Sequence, residues 1–229
     1  MASASATKAR ATATAAAKRP TSAFLSDDQV DDVERDSKAN DSYVGLSKLD
    51  EGKVHRFRFL GPAITGYSTW IETDGKSSPL RWRVKPEGDD IPGNLQINPK
   101  SKKPAEIKRF VCGFVWDYQK ERISVLIIDQ KTLLQELHGC IVDPDLGDPQ
   151  EYDIKITRKV ENDFTKYKLI GAPPKALLPD IEEAYEALLA SGADLDVMFD
   201  NGNPFEPEAK KDGDEEEEDD EDKEGDEEE

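Results

Sequence analysis

Along residues 54–59, Phe57 and Phe59 alternate with Arg56 and Arg58. The same two-residue period returns where Trp82 and Val84 sit between Arg81, Arg83 and Lys85. It returns again along Phe110, Cys112, Phe114, Trp116 and Tyr118, and where Tyr152, Ile154 and Ile156 alternate with Asp153, Lys155 and Thr157. Successive side chains point to opposite faces only in an extended chain, so these segments are half-buried strands. Residues 64–72 read as a further strand carrying Tyr67, Trp70 and Ile71, closed by the hairpin pair Asp74 and Gly75. The run from Ile123 to Ile128 is nearly all apolar, as in a strand covered on both faces, and 164–170 pairs back on 152–160 through Asn162 and Asp163.

Helical spacing appears twice. Leu133, Leu134 and Leu137 mark a short helix over 130–137 with Gly139 as its stop, and residues 181–189 form a second helix closed by Gly192. Residues 86–108, rich in Pro and Gly and carrying Lys100, Lys102 and Lys103, form a long loop or lobe. Strands, a short helix, more strands and a last helix imply a mainly β fold: a five-stranded, partly open barrel with an inserted helix and a C-terminal helix.

The ends of the chain differ from its middle. Residues 212–229 hold 15 acids and one Lys, a charge of −14, while residues 1–19 carry +4 on Lys8, Arg10, Lys18 and Arg19. Neither end has apolar side chains to offset the entropy of ordering. The expected division is a disordered basic arm and acidic leader at 1–42, a packed domain at 43–200 and a disordered acidic tail at 201–229. The net charge of −19 conceals a basic half-domain: residues 53–110 contain 12 Lys or Arg against 6 Asp or Glu.

Several classes find little support. Cys112, Cys140, His55 and His138 lack the paired spacing of a zinc motif, so neither a metal nor another cofactor is expected. No P-loop, dinucleotide fingerprint, zincin motif or nucleophile elbow is present, so no enzyme is expected. The sharpest enzymatic version is a metal-dependent nuclease using Asp143, Asp145, Asp148 and Asp153. No apolar run approaches a membrane span. The arm shares an Ala/Ser/Thr-rich, acid-free composition with organelle transit peptides; we read the chain as cytoplasmic.

Single-stranded nucleic acid is held by cations on phosphates and aromatic faces on bases. The residues that supply both are Arg56, Arg58, Tyr67, Trp70, Arg81, Trp82, Arg83, Lys85, Lys108, Arg109, Trp116, Tyr118, Arg158, Lys166 and Tyr167. Phe57, Phe59, Phe110 and Phe114 are expected in the core instead. The alternatives are an acidic-tailed chaperone for basic proteins and an RNA-binding module of the same fold.

Residues 143–169 carry an Asp/Gly-rich loop with Gly147 and Asp148, a strand with Tyr152, Asp153, Ile154 and Arg158, and a returning strand with Thr165 and Tyr167. This pattern resembles the single-stranded DNA-binding proteins of tailed bacteriophages, as do the strand and helix at 125–137 and the first strand at 51–60. The resemblance covers about residues 43–175. It implies an oligonucleotide-binding (OB) fold that coats single strands during replication, recombination and repair in the host cytoplasm. It also implies an acidic tail that recruits replication proteins such as a polymerase or a helicase–primase, and an arm that supports self-association on DNA. Many members hold zinc in the lobe corresponding to about 74–108. This chain has no Cys or His there, so the lobe must be fastened otherwise or be flexible.

Overall fold

The structure, a computed structural model, describes residues 42–206 except 100 and 163. The expected arm and leader, apart from Ser42, and the tail beyond 206 lie outside the described residues.

Among these residues, eight strands form one curled, open sheet, a half-barrel, with two α-helices. The strands are β1 (Tyr43–Val44), β2 (Val54–Phe59), β3 (Ile64–Thr73), β4 (Lys76–Trp82), β5 (Lys108–Asp117), β6 (Arg122–Ile128), β7 (Asp153–Glu161) and β8 (Phe164–Gly171). The helices are α1 (Lys131–Val142), between β6 and β7, and α2 (Pro179–Ala190), after β8. The main path runs β1-β6-β5-β2-β7-β8, and β3 joins β4 to β5.

β5 organises the sheet. One edge pairs with β6 along residues 111–117. The other is shared: β2 takes residues 115–117 and β3 takes 108–112. β2 and β3 therefore act as one long strand bent at Gly61 and Pro62. β3 and β4 form a hairpin whose turn residues Asp74 and Gly75 both have positive φ, 53° and 74°, as a tight two-residue turn requires. Past the bend, the close approach of β2 to β5 depends on a missing side chain. A Cβ at Gly113 would lie 2.7 Å from the Phe59 ring.

The alternation in the sequence becomes two cores. Phe57, Phe59, Val115, Leu126, Ile128, Tyr152, Ile154, Ile156 and Leu169 fill the concave side, where Leu133 and Leu137 of α1 close over them. Phe110, Cys112, Phe114 and Val125 form the opposite side of β5 and β6, covered by Tyr185 and Leu188 of α2 and by Leu195, Met198, Phe199 and Phe205. This is why β6 reads as continuously apolar: it is covered on both faces. The gap between β6 and β8 is partly bridged. β1 runs parallel to β6, and on the far side Glu136 of α1 accepts the Leu169 N–H at 2.6 Å.

Three boundaries differ from expectation. α1 continues through Gly139 to Val142. A helical Gly costs only about 1 kcal/mol relative to Ala, less than burying Leu133 and Leu137 returns, and the stop comes instead at Asp143, whose neighbour Pro144 disfavours a helical residue before it. β4 begins at Lys76 and ends at Trp82, because Arg83 leaves the sheet to pair with Asp196. After α2, a 3-10 turn at Asp196–Asp200 leads to Phe205, whose ring meets Phe114 edge-on at 5.5 Å. Packed chain therefore extends past the boundary expected at 200.

The lobe is fastened by backbone. Residue pairs Ile71 with Leu95 and Ile97 with Pro104 form isolated bridges. Gln96 N–H donates to the Trp70 carbonyl at 2.8 Å, Glu72 N–H to Asn94 at 2.9 Å, and Ala105 N–H to Gln96 at 2.8 Å. The buried Thr69 hydroxyl lies 3.3 Å from both the Ala105 and the Glu106 carbonyl, which share its single proton. A peptide ladder here does the fastening.

Candidate nucleic-acid interface

The cation–aromatic residues separate into four groups. The first surrounds Asp153, which is buried where β2, β5 and β7 meet. Asp153 accepts from Arg56 Nε at 2.7 Å and from the Tyr118 hydroxyl at 2.9 Å, and lies 3.5 Å from the Arg58 guanidinium. The Arg56 guanidinium sits 4.0 Å above the Tyr118 ring, a cation–π contact. Burial, then the bond to Asp153, raises the Tyr118 hydroxyl above its ordinary pKa. Arg58 is only 3% exposed and also donates to the Lys175 carbonyl. The expectation that it faces outward with Arg56 is therefore corrected: it shares Arg56's face, but residues 172–175 fold over it, with Ala172 N–H bonded to Asp153 and Lys175 N–H to Glu151. Trp116 lies opposite Arg58 and Ile123 and is half-buried.

The second group holds the C-terminal turn. Arg81 is half-buried and donates to the Met198 carbonyl at 3.2 Å. Arg83 pairs with Asp196 at 2.9 Å, its guanidinium 4.3 Å above the Phe199 ring. These arginines clamp the chain after α2 onto the sheet. Lys85, just beyond, is exposed.

A third group is a cross-strand row. Tyr67 lies opposite Trp82 on one side and Arg109 on the other, so two rings and a guanidinium share one face. Arg109 borders the fourth group, a groove built from two adjoining clefts of about 840 and 510 Å³ that share Glu106, Lys108 and Asp129. Arg109, Gln130, Lys131 and His138 wall the larger cleft; Trp70 and Lys103 wall the smaller. Trp70 is 48% exposed, an indole free to meet a flat ligand. The larger cleft opens at the start of α1, where unpaired amide N–H groups and the helix dipole favour an anion. Gln130 Oε1 is buried without a hydrogen-bond partner among the described residues.

The remaining candidates lie elsewhere. Arg158 donates to the Leu49 carbonyl at 3.3 Å, and its cross-strand neighbour Tyr167 packs against the concave core. Lys166 is exposed, paired with Glu161 at 2.6 Å, and lies on the other face of β8 from Tyr167. Sequence reasoning passed over Gln130, Lys131 and His138. The helix start at 130–131 was the only signal for them.

No family model matches this sequence, and no curated protein matches it. Among the described residues, no cluster of His, Cys, Asp or Glu could hold a metal ion, and no helix is long and apolar enough to cross a membrane.

Proposed function

We propose that this chain binds single-stranded DNA without sequence preference, as a non-enzymatic OB-type protein. The observation that carries the reading is the groove. Exposed Trp70 stands beside Lys103 and Lys108, and the cleft continues past Arg109 to Lys131 at a helix start, four cations against the acids Glu106 and Asp129. Stacking on an indole and phosphate pairing are the two terms that hold an unpaired strand.

Topology supports the fold reading. Taking β2 and β3 as one bent strand, β6, β5, β2, β7 and β8 follow in order with a helix between β6 and β7. That connectivity suits a five-stranded, partly open Greek-key barrel; β1 and β4 are then additions. In this reading the acidic tail competes with phosphates for the basic groove and recruits replication proteins.

The test is a titration of the chain's tryptophan fluorescence with oligo(dT) of about 16 nucleotides, a duplex and an RNA of the same length. Quenching by DNA single strands ahead of duplex and RNA is expected. Trp70→Ala should weaken binding by about 1–3 kcal/mol, roughly 5- to 160-fold, with the salt dependence unchanged. No quenching at low salt, or equal affinity for duplex, refutes the reading. Tighter binding to RNA transfers it to the RNA-binding alternative.

A further inference from the structure

We infer that the outer face of the β7–β8 hairpin is a second single-strand contact surface, separate from the groove, pairing phosphates with lysines and stacking a base on Phe164. The inference rests on the reading above and extends its footprint.

Register assembles the face. Lys159 lies opposite Lys166, Thr157 opposite Lys168 and Lys155 opposite Ile170, while Arg56 of β2 lies opposite Lys155. Directly opposed residues share a face, so four lysines and an arginine stand together. The acids there are Asp153, taken up by Arg56 and Arg58, and Glu161, paired with Lys166. Lys155, Lys159 and Lys168 are exposed and make no ion pair among the described residues.

Nothing described packs over this surface. α1 reaches β8 from the concave side, where Leu133, Leu137 and Leu169 meet. At the end of the row, on the same face as Lys166 and Lys168, Phe164 is 73% exposed. A bare ring of that size is poorly placed for stability and well placed for a base.

Two ordinary explanations fall short. Lysines protect edge strands from pairing with other chains. That covers Lys166 and Lys168 on the edge strand β8, and Lys159, which lies past the part of β7 that β2 pairs, but not Lys155, where β7 is paired with β2 and β8 at once. Like charges directly opposed, as Lys159 and Lys166 are, destabilise a sheet; Glu161, paired with Lys166, offsets part of that repulsion, and a polyanion offsets the rest. Lysines two residues apart on a strand stand about 6.6 Å apart, a spacing of the order of successive phosphates in an extended strand.

The experiment uses the full chain and its Lys155→Gln/Lys159→Gln/Lys168→Gln variant. All three positions are exposed, and circular dichroism checks the fold. Binding is measured against salt with an oligo(dT) of about 8 nucleotides, which fills one site, and one of about 30, which exceeds the usual footprint of a single OB fold. Three lost contacts at about 0.7 each should lower the log–log salt slope for the long strand by about 2 and leave that for the short strand unchanged. Between about 50 and 200 mM salt, this shrinks the loss of affinity by roughly 20-fold. Phe164→Ala should weaken long-strand binding with the slope intact.

An unchanged long-strand slope, or stronger binding by the triple variant, overturns the inference and leaves the groove reading standing. An equal drop with the short strand also overturns it, because the face would then belong to one site with the groove. Failure of the wild type to bind either strand overturns both.

Discussion

Replacing Asp153 should cost far more stability than its position at the edge of a basic surface suggests. Its carboxylate is the shared partner of Arg56, Arg58 and Tyr118. Arg56 is partly exposed and can turn to water. Arg58 has a side chain only 4% exposed and cannot. Asp153→Ala therefore strands a guanidinium charge in the protein with the Lys175 carbonyl as its remaining acceptor. Removing one partner of a buried pair costs about 3–5 kcal/mol, a large part of the roughly 5–15 kcal/mol that holds a domain folded. With a urea m-value of about 2 kcal/mol/M, the midpoint should fall by about 1.5–2.5 M. The assay is urea unfolding followed by circular dichroism.

The control separates charge burial from packing. Arg58→Met with Asp153→Leu removes both charges and keeps the volume, and such double replacements are often neutral or stabilising; it should recover most of the loss. Arg58→Met alone leaves Asp153 with Arg56 and Tyr118 and should cost less than Asp153→Ala. Since Arg58 is almost wholly buried, that single variant should leave the salt slope of the proposed DNA binding unaltered. A midpoint shift under about 0.5 M for Asp153→Ala, or a double variant no better than it, would refute the stranded-charge reasoning.

Ending the chain after Lys211 removes a charge of −14 and should tighten oligo(dT) binding, most at low salt, where charges are least screened; equal affinity at low salt counts against competition by the tail. Burial pushes the Cys112 thiol from 9.0 up to about 12, so native protein at pH 8 should lose one thiol, the partly exposed Cys140, to iodoacetamide and keep Cys112 until unfolded. Modification of both at the same rate would contradict the packing of Cys112 under Met198. The same shift has a sign for stability: the protonated thiol favours the folded state fully below pH 9, and that contribution drains away as pH rises toward 12. Cys112→Ala should flatten that part of the alkaline unfolding curve.

The sequence determined the strands, because alternation at 54–59, 110–118 and 152–170 is a local property: a side chain's face follows from its parity along an extended backbone. It also determined the hairpin at Asp74 and Gly75 and the two helices, whose signals lie within a few residues of one another. Tertiary structure alone decided what each cation does. Arg56 and Arg58 have the same parity and neighbours, yet one is half open and the other is sealed beneath residues 172–175, more than a hundred positions away. Arg81 and Arg83 read as a basic strand face until the chain after α2 returns to accept them. The groove gathers Trp70, Lys103, Lys108 and Lys131 from segments no local pattern connects. Parity assigns a side chain to a face, but only contacts between distant segments decide whether that face meets water, another part of the chain or a ligand.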